Sequence, residues 1–204
     1  MGEAVIKSTS PSVRAFVLGG SAGAVEALGS ILASLPATFR TPVVAVIHVP
    51  ARPASRLPLV LREHCALEVR EADDKEPLSP GTVYVAPAGY HLLLERGPSL
   101  ALSVDVPVSF SRPSIDVLLE SAAHALGPDV CGVILSGANS DGAEGLRAIR
   151  DAGGVALVQD PDEALLATMP AAALRRCPDA EVLGVAALGR RLCELGHVDS
   201  RGAA

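Results

Sequence analysis

Residues 14–48 read RAFVLGGSAGAVEALGSILASLPATFRTPVVAVIH: a hydrophobic run, a glycine-flanked serine, an amphipathic segment, and a second hydrophobic run that ends on a histidine. Between the runs, Val25, Leu28, Leu32 and Leu35 recur at a spacing of three to four, which predicts a helix with one buried face, closed by Pro36. The whole is a β–α–β unit. Gly19 to Gly23 fit G-x-S-x-G, in which small neighbours let the chain turn sharply from strand to helix and leave the Ser21 hydroxyl accessible. If the two strands lie side by side in a parallel sheet, their C-terminal ends share one edge, and His48 is brought towards Ser21 as a general base.

Other readings of the same residues compete with that one. A glycine-rich turn after a first strand often cradles a phosphate, but a dinucleotide fingerprint needs glycines where this chain has Ser21, Ala22 and Val25, and an acidic residue where it has His48. A P-loop fails as well, because no Lys-Ser or Lys-Thr follows the glycines. Ser21 as a plain helix N-cap stays open on position alone, and His48 taken alone reads as a structural histidine.

The 204 residues suit one domain with a sizeable core. With 49% apolar residues, no Trp, two Tyr and three Phe, that core is built from Val, Leu, Ile and Ala, as in a parallel sheet under helices. A formal net charge of −6 without a Lys/Arg run argues against nucleic-acid binding and a basic membrane-binding face. Cys65, Cys131, Cys177 and Cys193 show no C-x-x-C spacing and read as reduced thiols rather than as disulfides or metal ligands. No signal peptide and no apolar stretch of membrane-spanning length is recognisable, so the expectation is a cytoplasmic protein without membrane insertion.

Further along, Pro50 and Pro53 mark a loop and Ser55–Glu63 predicts a short helix. Residues 67 to about 107 hold short runs between turn residues and predict antiparallel hairpins inserted into, or packed at the edge of, the parallel sheet, with His91 an ordinary strand residue. Ser114 is placed to cap a helix with apolar positions Ile115, Leu118, Leu119, Ala122 and Leu126, ended by Gly127-Pro128, with His124 off the stripe. Val130–Leu135 is a strand that delivers Ser136-Gly-Ala-Asn-Ser-Asp141, and a helix follows through Leu146 and Ile149. Asp141 with Glu144 also resembles a capping box. Val155–Val158 is a further strand; a helix is expected from Asp160–Glu163, another starts at Met169-Pro170, and the chain beyond Cys193 reads as a frayed tail.

Three strand ends thus present a hydroxyl, an imidazole and a carboxylate: Ser21, His48 and Asp141. Open α/β sheets place their sites at the carboxyl ends of the strands, and these three group types are the set acyl transfer needs. The fold expected is α/β, a doubly wound, mostly parallel sheet with helices on both faces and an antiparallel hairpin region.

At these residues the chain resembles the protein-glutamate methylesterases of bacterial chemotaxis, in the CheB-type catalytic domain. The matching segments are Leu18–Gly23, Val46–Pro50, Ala86–Glu95, Arg112–Asp116, Gly132–Gly137 with Asp141–Gly145, and Met169-Pro170, in order from about residue 14 to 188. The resemblance implies a serine esterase that hydrolyses γ-glutamyl methyl esters on the cytoplasmic helices of chemoreceptors, releases methanol, and in some members deamidates glutamine. It implies that Ser21, His48 and Asp141 are catalytic and that the backbone N–H groups of Ala22 and Ala138 form the oxyanion site. It calls for no cofactor and no metal. The implied partners are the methylated chemoreceptor cytoplasmic domain, as protein substrate, and a separate signalling regulator. Two departures bear on specificity: the family usually has methionine at Ala138, and often a small polar residue at Ala22. Many members also carry an N-terminal receiver domain; with only a dozen or so residues before the first strand, the expectation here is a catalytic domain without an attached receiver, either free-standing or excised from a larger protein. The expected division is a tail over 1–13, one methylesterase-like catalytic domain over 14–193, and a tail over 194–204. Two alternatives keep the fold but not the reaction: a catalytically silent receptor-binding module, and a small-molecule ester hydrolase.

Overall fold

The computed structural model describes residues 13–48 and 56–198, so the loop prolines Pro50 and Pro53, Ser55 and most of the expected N-terminal tail lie outside the described residues. The opening stretch forms β1 (Ala15–Gly20), α1 (Ala24–Ala33) and β2 (Val43–Ile47). Both strands are buried along their whole length, which is why they read as unbroken apolar runs rather than as an alternation. α1 buries Ala24, Ala27, Leu28, Ile31 and Leu32, so its inner face turns slightly away from Val25, which is only partly covered.

The chain continues through α2 (Leu57–Arg62), β3 (Glu68–Glu71), β4 (Thr82–Val85), β5 (His91–Glu95), β6 (Ser99–Ser103) and α3 (Ile115–Leu126). It then forms β7 (Val130–Ile134), α4 (Ala143–Asp151), β8 (Val155–Gln159), α5 (Thr168–Arg176), β9 (Glu181–Leu183) and α6 (Val185–Leu195). Seven strands make one sheet in the order β3-β4-β2-β1-β7-β8-β9, every neighbouring pair parallel. From β1 the chain winds outward to one side through β2 and later returns to the other side through β7. The crevice at the C-terminal end of β1 is therefore the topological switch point, where open α/β sheets hold their ligands.

The pleat of β1 divides the core. Phe16 and Leu18 pack with Leu28, Ile31 and Leu32 of α1 and with Leu188 and Leu192 of α6; Ala15 and Val17 face Ile115, Leu118 and Leu119 of α3 and Leu146 and Ile149 of α4. Helices thus cover both faces, as a doubly wound sheet requires.

Three expectations need correction. Of the strands in 67–107, only β5 and β6 are antiparallel, forming a two-stranded sheet of their own, whereas β3 and β4 pair in parallel at the edge of the main sheet. Their crossover, residues 72–81, contains no helix. It closes because its backbone pairs with the hairpin instead: Lys75 N–H donates to Leu100 O at 2.9 Å, Leu78 N–H to Pro98 O at 3.0 Å, and Leu100 N–H to Glu76 O at 2.8 Å. Ser79-Pro80-Gly81 signals a turn in either topology, so turn chemistry alone does not separate them. Second, residues 160–167 are turns and not a helix; the Asp160 carboxylate accepts the Asp162 N–H at 2.9 Å, an Asx turn that competes with helical bonding. Third, residues 194–198, part of the expected tail, are tied down: α6 runs to Leu195, Arg40 N–H donates to His197 O at 2.7 Å, and His197 N–H to Thr41 Oγ1 at 2.8 Å.

Close approach of β1 to α3 explains Gly19, where a Cβ would fall on the Cγ2 of Ile115. Gly19→Ala therefore overpacks the seam on which the site rests, and urea unfolding should register a loss of about 1–3 kcal/mol.

Candidate active site

The register of the sheet sets the first two groups side by side. Gly20 of β1 pairs with Ile47 of β2, so Ser21 and His48 are the next residues on adjacent parallel strands. His48 N–H donates to Gly20 O at 3.0 Å, and Ser21 N–H to Ser136 O at 2.9 Å, which fastens the serine turn to the ends of both β2 and β7. Ser21 does not cap α1 with its hydroxyl. The N-cap is Gly23, in the left-handed region at φ 82°, and no side chain serves it. A Cβ on Gly23 would also lie 2.6 Å from Leu165 Cβ and 2.8 Å from Ser136 Oγ. The Ser21 hydroxyl has no hydrogen-bond partner among the described residues and remains available.

The third group reaches the same edge from β7. Asp141 is 1% exposed, and its Oδ2 lies 2.9 Å from His48 Nε2. Its other partners belong to the start of α3: Ile115 N–H donates to Oδ2 at 2.8 Å, and Asp116 N–H and the Ser114 hydroxyl donate to Oδ1 at 3.0 and 2.9 Å. Both carboxylate oxygens thus accept two hydrogen bonds at a helix N-terminus, where backbone donors and the helix dipole favour an anion. The capping box with Glu144 does not form. Gly142, at φ 92°, is the N-cap of α4, and Glu144 pairs with Arg176 at 2.7 Å. Asp141 caps the start of a helix it does not precede.

With Nε2 engaged by a carboxylate, the His48 ring holds its hydrogen on Nε2 and keeps Nδ1 as the free acceptor. The backbone N–H groups of Ala22 and Ala138 have no acceptor among the described hydrogen bonds, and both residues are exposed in the loops after β1 and β7. The Ala138 loop is pinned at its base. Gly137 N–H donates to Leu166 O at 3.1 Å and Met169 N–H returns to Gly137 O at 3.0 Å, while a Cβ on Gly137 would meet the Met169 side chain at 2.6 Å. The arrangement offers a hydroxyl, an imidazole backed by a buried carboxylate, and two unused N–H donors at one sheet edge.

The family model described as CheB methylesterase matches residues 16–192. The chain belongs to the CheB methylesterase family. A putative protein-glutamate methylesterase/protein-glutamine glutaminase of Leptospira interrogans is 46% identical over 160 residues, 78% of this chain and 83% of that protein. Protein-glutamate methylesterase/protein-glutamine glutaminase 5 of Myxococcus xanthus is 42% identical over 76% of this chain but 46% of its own length, so against that relative the chain spans about half the length. Among solved structures, the Thermotoga maritima CheB methylesterase catalytic domain superposes with a TM-score of 0.86 at 30% identity, covering 90% of this chain and 99% of that one. As a member of the CheB methylesterase family the chain is an esterase.

Around this CheB-type site, several supporting residues carry no motif that singles them out. Ser136 is buried; its hydroxyl donates to Ala22 O at 2.8 Å and accepts the Leu166 N–H at 2.9 Å, and its own N–H is held by the buried Gln159 side chain at 2.8 Å. Ser114 is legible as a helix cap, but its bond to Asp141 spans 27 residues of sequence and has no local signature. His91, expected as an ordinary strand residue, is 1% exposed and hydrogen-bonded through both ring nitrogens. Among the described residues no group of three His, Cys, Asp or Glu side chains is arranged to hold a metal ion.

Two carboxyls with opposite shifts meet beneath the site. Burial alone would raise the pKa of Asp141, but the bonds from His48, Ile115, Asp116 and Ser114 outweigh it and hold the group below the ordinary aspartate range. Asp116 is pushed up to about 6 by burial first and by the nearby Asp141 charge, against the lowering effect of the Gly145 N–H that its carboxylate accepts at 2.8 Å. A raised folded-state value means that the native protein holds a proton the unfolded chain has lost, so stability falls as pH rises from the ordinary aspartate range to about 6. Asp116→Asn removes that penalty while its amide oxygen can still accept the Gly145 N–H. Its urea midpoint should exceed that of the wild type at pH 8 and match it at pH 4.

Proposed function

We propose that this chain hydrolyses γ-glutamyl methyl esters on the cytoplasmic helices of chemoreceptors, with Ser21 as nucleophile, His48 as general base and acid, and Asp141 as its fixed anion. One observation carries the assignment: the 2.9 Å bond between His48 Nε2 and a buried Asp141, on a histidine one residue past the strand pair that also delivers Ser21. Nδ1 of His48 takes the Ser21 proton as Oγ attacks the ester carbonyl, and the oxyanion that develops accepts the N–H groups of Ala22 and Ala138. The imidazolium then gives its proton to the departing methoxide, which leaves as methanol. Water, deprotonated in turn by His48, attacks the acyl-enzyme; the Ser21 Oγ–acyl bond breaks, the imidazolium returns its proton to Oγ, and a glutamate γ-carboxylate is released. The same sequence on a glutamine side chain releases ammonia, which accounts for the glutaminase half of the relatives' names.

Ala138 supplies a backbone group to this scheme, so a methyl in place of the family's methionine leaves the oxyanion site intact and changes only the groove wall. That favours catalysis over a silent binding module. A cavity of about 330 Å³ beside the Asp141 loop is lined by Asp116, Ser140, Glu144, Arg175 and Arg176, of which Arg176 is paired with Glu144 at 2.7 Å. Arg175 has no ion-pair partner among the described residues. We further propose that residues 14–193 form the catalytic domain, that it acts in the cytoplasm, and that a separate signalling regulator controls it.

Methanol release from methylated receptor fragments tests the reaction. Ser21→Ala should fold and lose essentially all turnover; wild-type rates in that variant would overturn the assignment. Asp141→Asn turns an NH2 towards donors that now point at oxygen, and should lower kcat by about 10⁴, the cost of the equivalent change in a serine protease triad.

A further inference from the structure

His91 opens β5, far from Asp141 in sequence, yet it is buried and joined to the carboxylate through Ser114. Its Nδ1 accepts the Ser114 N–H at 3.2 Å, and its Nε2 lies 3.2 Å from Val106 O. A backbone N–H can only donate and a carbonyl can only accept, so the two contacts fix one state of the ring: neutral, with hydrogen on Nε2. Ser114 in turn donates its hydroxyl to Asp141 Oδ1 at 2.9 Å, and Asp141 holds His48 at 2.9 Å. Four hydrogen bonds in series therefore run from Val106 O through His91, Ser114 and Asp141 to His48.

The far end of this chain is an apolar loop. Val104 and Val106 are 68% and 79% exposed and Phe110 is fully exposed, while Arg112 Nη1 clasps Val104 O at 2.7 Å and Asp105 O at 2.9 Å. Without His91, the buried Ser114 N–H loses its acceptor and Val106 O its donor, and an orphaned buried donor is costly. The Ser114 hydroxyl would then be held on its far side only by the long 3.5 Å cap bond from the Val117 N–H.

We propose that His91 is a positioning residue for the reaction: by accepting the Ser114 N–H it fixes the hydroxyl that orients Asp141, and by donating to Val106 O it sets the apolar loop in the same act. It never touches substrate. The proposal rests on the reading of Ser21, His48 and Asp141 as the reacting groups.

The test compares His91→Leu, His91→Asn and His91→Gln in the full chain, by methanol release from methylated receptor fragments and by proton NMR of the His48 Nε2–H, with thermal melts as the folding control. An asparagine amide oxygen can take the place of Nδ1 and accept the Ser114 N–H, but it does not reach Val106; glutamine reaches Val106 at the expense of the nearer contact. In His91→Leu, kcat should fall about 10- to 100-fold with KM little changed, the range typical of partners that orient a functional group from behind. His91→Asn should recover most of kcat and the wild-type position of the His48 resonance, and His91→Gln should recover less of both. A folded His91→Leu with wild-type kcat and an unmoved His48 resonance would overturn the proposal, as would His91→Asn performing no better than His91→Leu. If His91→Leu fails to fold, the ranking of asparagine above glutamine decides alone. The resonance does not require turnover: if the wild type releases no methanol, the reading of the triad fails while the His48 signal still reports on His91.

Discussion

A buried aspartate that accepts four hydrogen bonds organises this end of the molecule. Asp141 arrives from β7, and the groups that neutralise it come from α3 and from the end of β2, so three separate stretches of chain converge on one carboxylate. The burial penalty for such a charge is large unless every lone pair is engaged. Here each oxygen has two donors, and the net effect on its pKa is downward despite the burial. The carboxylate is therefore an anion that stays an anion, and its position is defined by the N-terminus of α3 as much as by its own loop.

The parallel sheet supplies the other constraint. β1 lies at the centre, paired with β2 on one side and β7 on the other, and its register with both places Ser21, His48 and the Ser136–Asp141 loop at the same level. Glycine at position 19 lets α3 descend close enough to β1 for the amides of Ile115 and Asp116 to reach Asp141. The site thus depends on a packing distance inside the core. A methyl group at Gly19 would push on Ile115 and so act on the surroundings of Asp141 through the position of α3.

The opening β–α–β unit, the Ser114 cap and the strand ends at Ser21, His48 and Asp141 were legible because their signals are local: apolar runs, three-to-four spacing, and small residues at sharp turns. What escaped the sequence was set by partners distant along the chain. The crossover between β3 and β4 carries turn residues that fit a hairpin equally well, and its pairing with β5 and β6 decides the topology. Asp141 carries the spacing of a capping box with Glu144, yet Gly142 in the left-handed region ends that possibility and turns the carboxylate towards α3. The stretch 194–198 has no strong local pattern, and its His197 is held by Arg40 and Thr41, about 155 residues earlier.

The direction of the two carboxyl shifts bears on how such a site can work. Asp116 sits next to Asp141 and is raised to about 6, so the two carboxyls part by environment: one ionises readily because donors surround it, the other gives up its proton later because burial and its neighbour's charge oppose a second anion. In the proposed reaction His48 takes the Ser21 proton, and the positive charge then faces Asp141 Oδ2. That imidazolium is stabilised by a carboxylate already fixed in place, so no donor has to reorganise as the charge develops. A freely solvated aspartate could carry the same charge, but water would screen it and its orientation would have to be selected at each turnover. The four donors around Asp141 do that selection once, during folding.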